Sequence, residues 1–191
     1  MTRSLAHIRD ASRDDAPAIA AVLREAWREL ATQAGWTREQ LPRSPAFCQP
    51  EWITEGMDRG GRYFVAECAT GSTGREGGTD TTGGGTAAIG CVGMGRPMDG
   101  ASELIRLGVV PASRRGGLGA TLVEHVVGEA RSLGLARVDL ALIAERTELQ
   151  QWYEKLGFVL TRVEANPRLP FKVAHMSLDL PREVTGRERT S

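Results

Sequence analysis

The stretch Glu103-Leu-Ile-Arg-Leu-Gly-Val-Val-Pro-Ala-Ser-Arg-Arg-Gly-Gly-Leu-Gly-Ala120 decides how this chain is read. Leu104 to Val110 is an apolar run broken only by Arg106 and Gly108, the pattern of a buried strand. Pro111 ends it, because proline has no N–H to give to a ladder. A glycine-rich turn, Ser113 to Gly119, leads into a helical pattern that runs through Leu133. A helix start leaves unpaired N–H groups and partial positive charge, and glycines let backbone approach an anion closely. Arg114 and Arg115 add forked donors at the same corner. The stretch reads as a pyrophosphate cradle.

Two familiar phosphate motifs do not fit. A P-loop needs Lys followed by Ser or Thr after its last glycine, but Gly119 is followed by Ala120 and Thr121. The dinucleotide fingerprint needs a third glycine where Leu122 stands. What fits is Val109-x-Pro111-x-x-Arg114-x-x-Gly117-x-Gly119, which resembles the coenzyme A pyrophosphate signature of the GNAT superfamily of acyl-CoA N-acyltransferases. Downstream, Trp152-Tyr-Glu-Lys-Leu-Gly-Phe158 is similar to that family's penultimate-helix ending. The resemblance implies an α/β fold: a single-domain mixed β-sheet flanked by helices and splayed between strands 4 and 5.

Composition sets outer bounds. The 191 residues carry 24 basic and 24 acidic side chains, so no net charge argues for nucleic-acid or membrane attraction. No basic stripe with interleaved aromatics suggests a nucleic-acid partner. Cys48, Cys68 and Cys91 share no metal spacing and read as free thiols. No apolar run reaches membrane-spanning length and the start lacks a signal-peptide core, so a cytoplasmic protein with no membrane partner and no metal is expected.

In chain order, residues 5–11 read as a first strand and Ser12-x-x-Asp15 as a capping box before a helix ending near Gly35. A second helical region, Thr37 to Met57, is broken by Pro42, Pro45 and Pro50 and should be two short pieces. Strands follow from Arg62 and from Ala87. Between them, residues 71–86 are too rich in glycine and threonine to bury a core, and read as an elongated flexible loop. The helix from Gly117 stops at Gly134, with His125 beside its apolar stripe as a packing or surface histidine. A strand from Arg137, a helix capped by Thr147-x-x-Gln150 and ending at Gly157, and a closing hairpin complete a domain over 1–180. Residues 181–191 read as a frayed tail. The order is βααβββαβαββ.

The resemblance also assigns roles. It implies a bulge in the backbone of Leu107, Gly108 and Val109, whose main-chain groups bind the pantetheine arm, with the Val109 N–H facing the thioester carbonyl. Coenzyme contacts carry over to Arg114, Arg115, Gly116, Gly117, Leu118, Gly119 and Ala120. Tyr153 is the candidate acid for the departing thiolate. Glu103 is the candidate base acting through water, because an alkylammonium of pKa near 10.4 must lose a proton before it attacks. Where other members carry a strand-5 glutamate this chain has Ala141, with Asp139 and Glu145 nearby; the family's asparagine before the tyrosine helix is Arg146. The first two helices would wall the acceptor pocket, with Trp36, Phe47 and Trp52 as lining or core residues. The implied activity is acetyl transfer from acetyl-CoA, as co-substrate, to a primary amine on a small molecule or peptide. Direct attack in a ternary complex is expected, since no Cys–His pair suggests a covalent route. A non-catalytic acyl-CoA sensor or scaffold is the alternative, and a homodimer is a family habit.

Overall fold

A computed structural model describes residues 6–69 and 86–181. In chain order the elements are β1 (His7–Asp10), α1 (Ala16–Gln33), α2 (Pro50–Asp58), β2 (Arg62–Ala69), β3 (Thr86–Met94), β4 (Ala101–Val109), α3 (Leu118–Ser132), β5 (Arg137–Ile143), α4 (Thr147–Lys155), β6 (Val159–Ala165) and β7 (Lys172–Asp179). This is the expected order. The hydrogen-bonded strand order is β1-β2-β3-β4-β5-β7-β6, antiparallel except for β4 with β5. The flexible loop expected at 71–86 lies outside the described residues apart from Thr86, which opens β3. So does the expected tail from 182 onward. Among the described residues, no helix is long and apolar enough to cross a membrane.

The chain falls into two compact units: one up to Arg96 with Leu104–Val126, the other Pro97–Glu103 with the residues from Val127 on. In the first, Asp15 accepts the Ser12 N–H at 2.7 Å, the expected capping contact, on a 3-10 turn over Arg13–Asp15 that feeds α1. Of the expected helical region Thr37 to Met57, Pro45–Phe47 forms a 3-10 turn and Pro50–Asp58 forms α2. Each begins on a proline, whose fixed φ suits a first helical turn while disfavouring helix in the residue before it. Ile19 and Leu23 of α1 bury against Ile53, Cys48, Tyr63 and Cys91. Against the other face of this sheet, the ring of His125 packs edge-on to Phe64 at 4.6 Å, so that histidine is a packing residue.

The bulge in β4 is one step earlier than expected. Cys91 pairs with Gly108 and Gly93 with Ile105, so Arg106 and Leu107 together oppose a single residue of β3. Arg106, not Gly108, takes the left-handed backbone, at φ +53°. Gly108 is instead a close-approach position: a Cβ there would lie 3.1 Å from Leu23 and 3.4 Å from Ala26 of α1.

In the second unit, β4 joins β5 through three parallel pairs ending at Glu103↔Asp139, and both strands run on beyond that pair. Val138, Leu140, Ala174 and Met176 bury on one face, with Phe158 and Tyr153 also in the core. Asp139, Ala141 and Ile143 occupy the opposite face, in register with Ser177, His175 and Val173. The Thr147 cap does not form. The carbonyl of Arg146 receives the N–H groups of Leu149 and Gln150, so Thr147 is already the first helical residue.

Gly93 shows how tightly the first unit is packed, since a Cβ there would sit 2.8 Å from both Ile105 and Tyr63. Gly93→Ala should cost about 1–3 kcal/mol through overpacking, read as a fall in thermal midpoint; an unchanged midpoint would show that Tyr63 can shift at no cost.

Candidate functional site

The turn between β4 and α3 is built by its sequence. Pro111 opens a 3-10 turn over Pro111–Ser113, and Arg114 follows in extended backbone. Arg115 and Gly117 then both take positive φ, +62° and +86°. Alternation of this kind turns successive N–H groups toward one side, the geometry of an anion nest. Among the described residues, the amides of Arg115, Gly116, Gly117, Leu118, Gly119 and Ala120 have no hydrogen-bond acceptor; the next amide, of Thr121, bonds to Gly117 at 3.1 Å. A Cβ at Gly117 would meet no protein atom within 4 Å. Glycine is therefore favoured there by φ alone, and the space beside it is open. Arg115 is exposed and pays for its left-handed backbone with about 1 kcal/mol or more of strain.

The side chain of Arg114 is committed within the protein. Its Nε donates to the Val109 carbonyl at 3.1 Å and its Nη2 to the Ala26 carbonyl of α1. It pins the turn to the first helix. The sequence did not single out Trp27 here, yet its indole N–H donates to the Leu107 carbonyl at 3.3 Å. Val110 donates to Ile89 of β3 at 3.0 Å. In an antiparallel pair neighbouring residues alternate direction, so Val109 turns its N–H away from β3.

Tyr153 and Glu103 belong to the second unit. The Tyr153 ring is buried edge-on to Trp152 and Phe158, at 4.7 and 5.6 Å between centroids. Its hydroxyl has no hydrogen-bond partner among the described residues, yet no buried side-chain oxygen or nitrogen is left unsatisfied there. Burial raises its pKa, so it is a protonated phenol at neutral pH.

Glu103 makes no hydrogen bond or ion pair among the described residues, although the protein packed around it and then the Asp139 carboxylate raise its pKa. His175 acts in the opposite sense. Asp139 faces Glu103 in register and is itself held, by Ser177 Oγ at 2.6 Å and Arg137 Nε at 2.8 Å. Glu145 is occupied otherwise, accepting the Lys172 N–H at 3.1 Å.

Residues 22–158 match the acetyltransferase (GNAT) family. The chain belongs to the GNAT acetyltransferase family. Solved structures with the same fold include PaiA N-acetyltransferase from Thermoplasma acidophilum in complex with coenzyme A. It is 16% identical, with a TM-score of 0.65 over 92% of this chain and 99% of that one. Ribosomal-protein-alanine N-acetyltransferase from Brucella melitensis is 21% identical, with a TM-score of 0.62 over 91% and 99%. The Salmonella typhimurium protein yncA with its cofactor acetyl-CoA is 19% identical, with a TM-score of 0.60 over 93% and 95%. No curated protein sequence matches the chain.

In this GNAT chain the Glu103–Asp139 pair generates a pH prediction. Removing the neighbouring negative charge makes ionised Glu103 less costly, so Asp139→Asn should move the Glu103 titration midpoint to lower pH, toward that of an ordinary glutamate. Carboxyl NMR titration reads this directly, and an unmoved midpoint would leave burial as the sole cause.

Proposed function

We propose that this GNAT protein is an N-acetyltransferase that moves the acetyl group of acetyl-CoA to a primary amine by direct attack in a ternary complex. The observation that supports the reading is the run of six amides, Arg115 to Ala120, with no acceptor among the described residues, at the glycine-rich start of α3. Unpaired donors beside a helix N-terminus fit a diphosphate, and the open side of Gly117 leaves room for one. Those six residues would hold the diphosphate, Arg114 fixes the turn that presents them, and the backbone of Leu107, Gly108 and Val109 would hold the pantetheine arm. Acetyl-CoA supplies an acyl group already activated as a thioester.

The remaining work falls to the protein. The Val109 N–H is the donor for charge developing on the carbonyl oxygen. Tyr153 delivers its phenolic proton to the departing sulfur, and the second proton lost by the acceptor nitrogen as the amide forms returns to the phenolate through water; the high pKa of Tyr153 keeps its proton in place until it is needed. Glu103, once ionised, draws the proton from the acceptor ammonium through water, and its raised pKa makes it a stronger base than a free glutamate. A phenol and a carboxylate both without hydrogen-bond partners among the described residues favour catalysis over a passive acyl-CoA sensor. The free thiols of Cys48, Cys68 and Cys91 suit a reducing, cytoplasmic compartment.

Two substitutions test the assignment. Gly117→Ala meets no protein atom but must hold φ at +86°, so stability should fall by about 1 kcal/mol while coenzyme A affinity falls about tenfold or more by calorimetry. Unchanged affinity would remove the cradle. Tyr153→Phe should lower turnover about 10²-fold or more with coenzyme affinity kept within about twofold; full turnover would exclude Tyr153 as the acid.

A further inference from the structure

Most arginines with a fixed partner in this protein face an acid: Arg9 meets Asp15 and Glu67, Arg13 meets Asp58, Arg43 meets Glu55, Arg62 meets Asp10, and Arg137 meets Asp139. Two half-buried arginines of the first unit do not. Arg24 of α1 donates from Nη1 to the Cys48 carbonyl at 2.7 Å, and Arg106 of the β4 bulge donates from Nη1 to the Cys48 sulfur at 3.5 Å. Among the described residues, neither lies within 4.0 Å of a carboxylate.

The groups around them supply no compensating charge. Cys48, Cys91 and Tyr63 are buried, and burial holds both thiols and the phenol in their neutral forms against the pull of Arg106. The corner where α1, the Pro45–Phe47 turn and the β4 bulge meet thus brings two guanidinium groups to Cys48 with no ion pair to either among the described residues. Half-buried guanidinium groups are seldom left this way, because the lost hydration is costly without an anion to replace it. Arg106 also holds a strained φ of +53° at the β4 bulge. Both arginines keep some exposure, so a ligand from solvent can reach them.

We propose that Arg24 and Arg106 form a carboxylate subsite on the acceptor side of the protein, so that the acceptor is an amine that also bears a carboxylate, as in a free amino acid. The inference rests on the acetyltransferase reading. A guanidinium fork matches a carboxylate in shape as well as charge. Polyamines would meet like charge here, and the amine end of a long peptide would bring no carboxylate of its own.

The test follows thiol release from acetyl-CoA with the full chain, using L-amino acids, the C-terminal amides of the same amino acids, and spermidine. The proposal expects at least one amino acid whose KM is about tenfold or more below that of its amide. In Arg106→Gln and Arg24→Gln that ratio should collapse to within about twofold, with coenzyme A affinity kept as the control for folding. Preferred amides, preferred spermidine, or a ratio that survives in both variants overturns it. If coenzyme A binds but no amine releases thiol, calorimetry with the same amino acids decides. Binding lost in both variants supports the subsite and removes the enzyme reading, whereas absence of binding to the unaltered protein overturns the subsite.

Discussion

Six backbone N–H groups, Arg115 to Ala120, that find no acceptor among the described residues are the constraint around which the turn of the first unit is arranged. A fold ordinarily satisfies such donors or leaves them to water. Here the chain goes to some length to keep them open. Pro111 halts the strand, Arg114 spends two donors anchoring the turn to β4 and α1, and Arg115 accepts a left-handed backbone that favours glycine. Each choice costs stability or a side chain, and together they hold six amides in a fixed array. A loop that only reversed the chain would need none of them.

That array depends in turn on how closely α1 lies on the sheet. Gly108 and Ala26 allow the helix to approach β4, which brings the Ala26 carbonyl within reach of Arg114 and the Trp27 indole within reach of Leu107. A larger residue at 108 would lift α1 and loosen both contacts. Glycine at that position thus sets the distance on which the turn's anchorage rests.

The glycine-rich turn and the element order were legible in the sequence because they rest on local rules: proline ends strands, glycine tolerates positive φ, and apolar spacing marks helices. The bulge was expected over Leu107, Gly108 and Val109 and formed at Arg106 and Leu107, while Gly108 instead packs closely against Leu23 and Ala26 of α1, a contact distant in sequence that no local pattern encodes. The Thr147 cap failed for a related reason. A threonine with a glutamine three residues on permits a capping box, but the carbonyl of Arg146 closed the turn first. The facing of Asp139 toward Glu103 was equally hidden, since register across a parallel pair depends on the whole intervening segment.

Net charge misleads most where recognition matters. Equal numbers of acidic and basic residues suggest a protein indifferent to charged ligands. Yet the charges are unevenly placed: several arginines form ion pairs at the surface, where each pair contributes little, while Arg24 and Arg106, half-buried, have no carboxylate partner among the described residues where desolvation makes charge count. Selectivity for an acceptor follows from that uneven distribution rather than from the total. Buried cysteines and a tyrosine held neutral around the two guanidinium groups keep the imbalance from being cancelled by the protein itself.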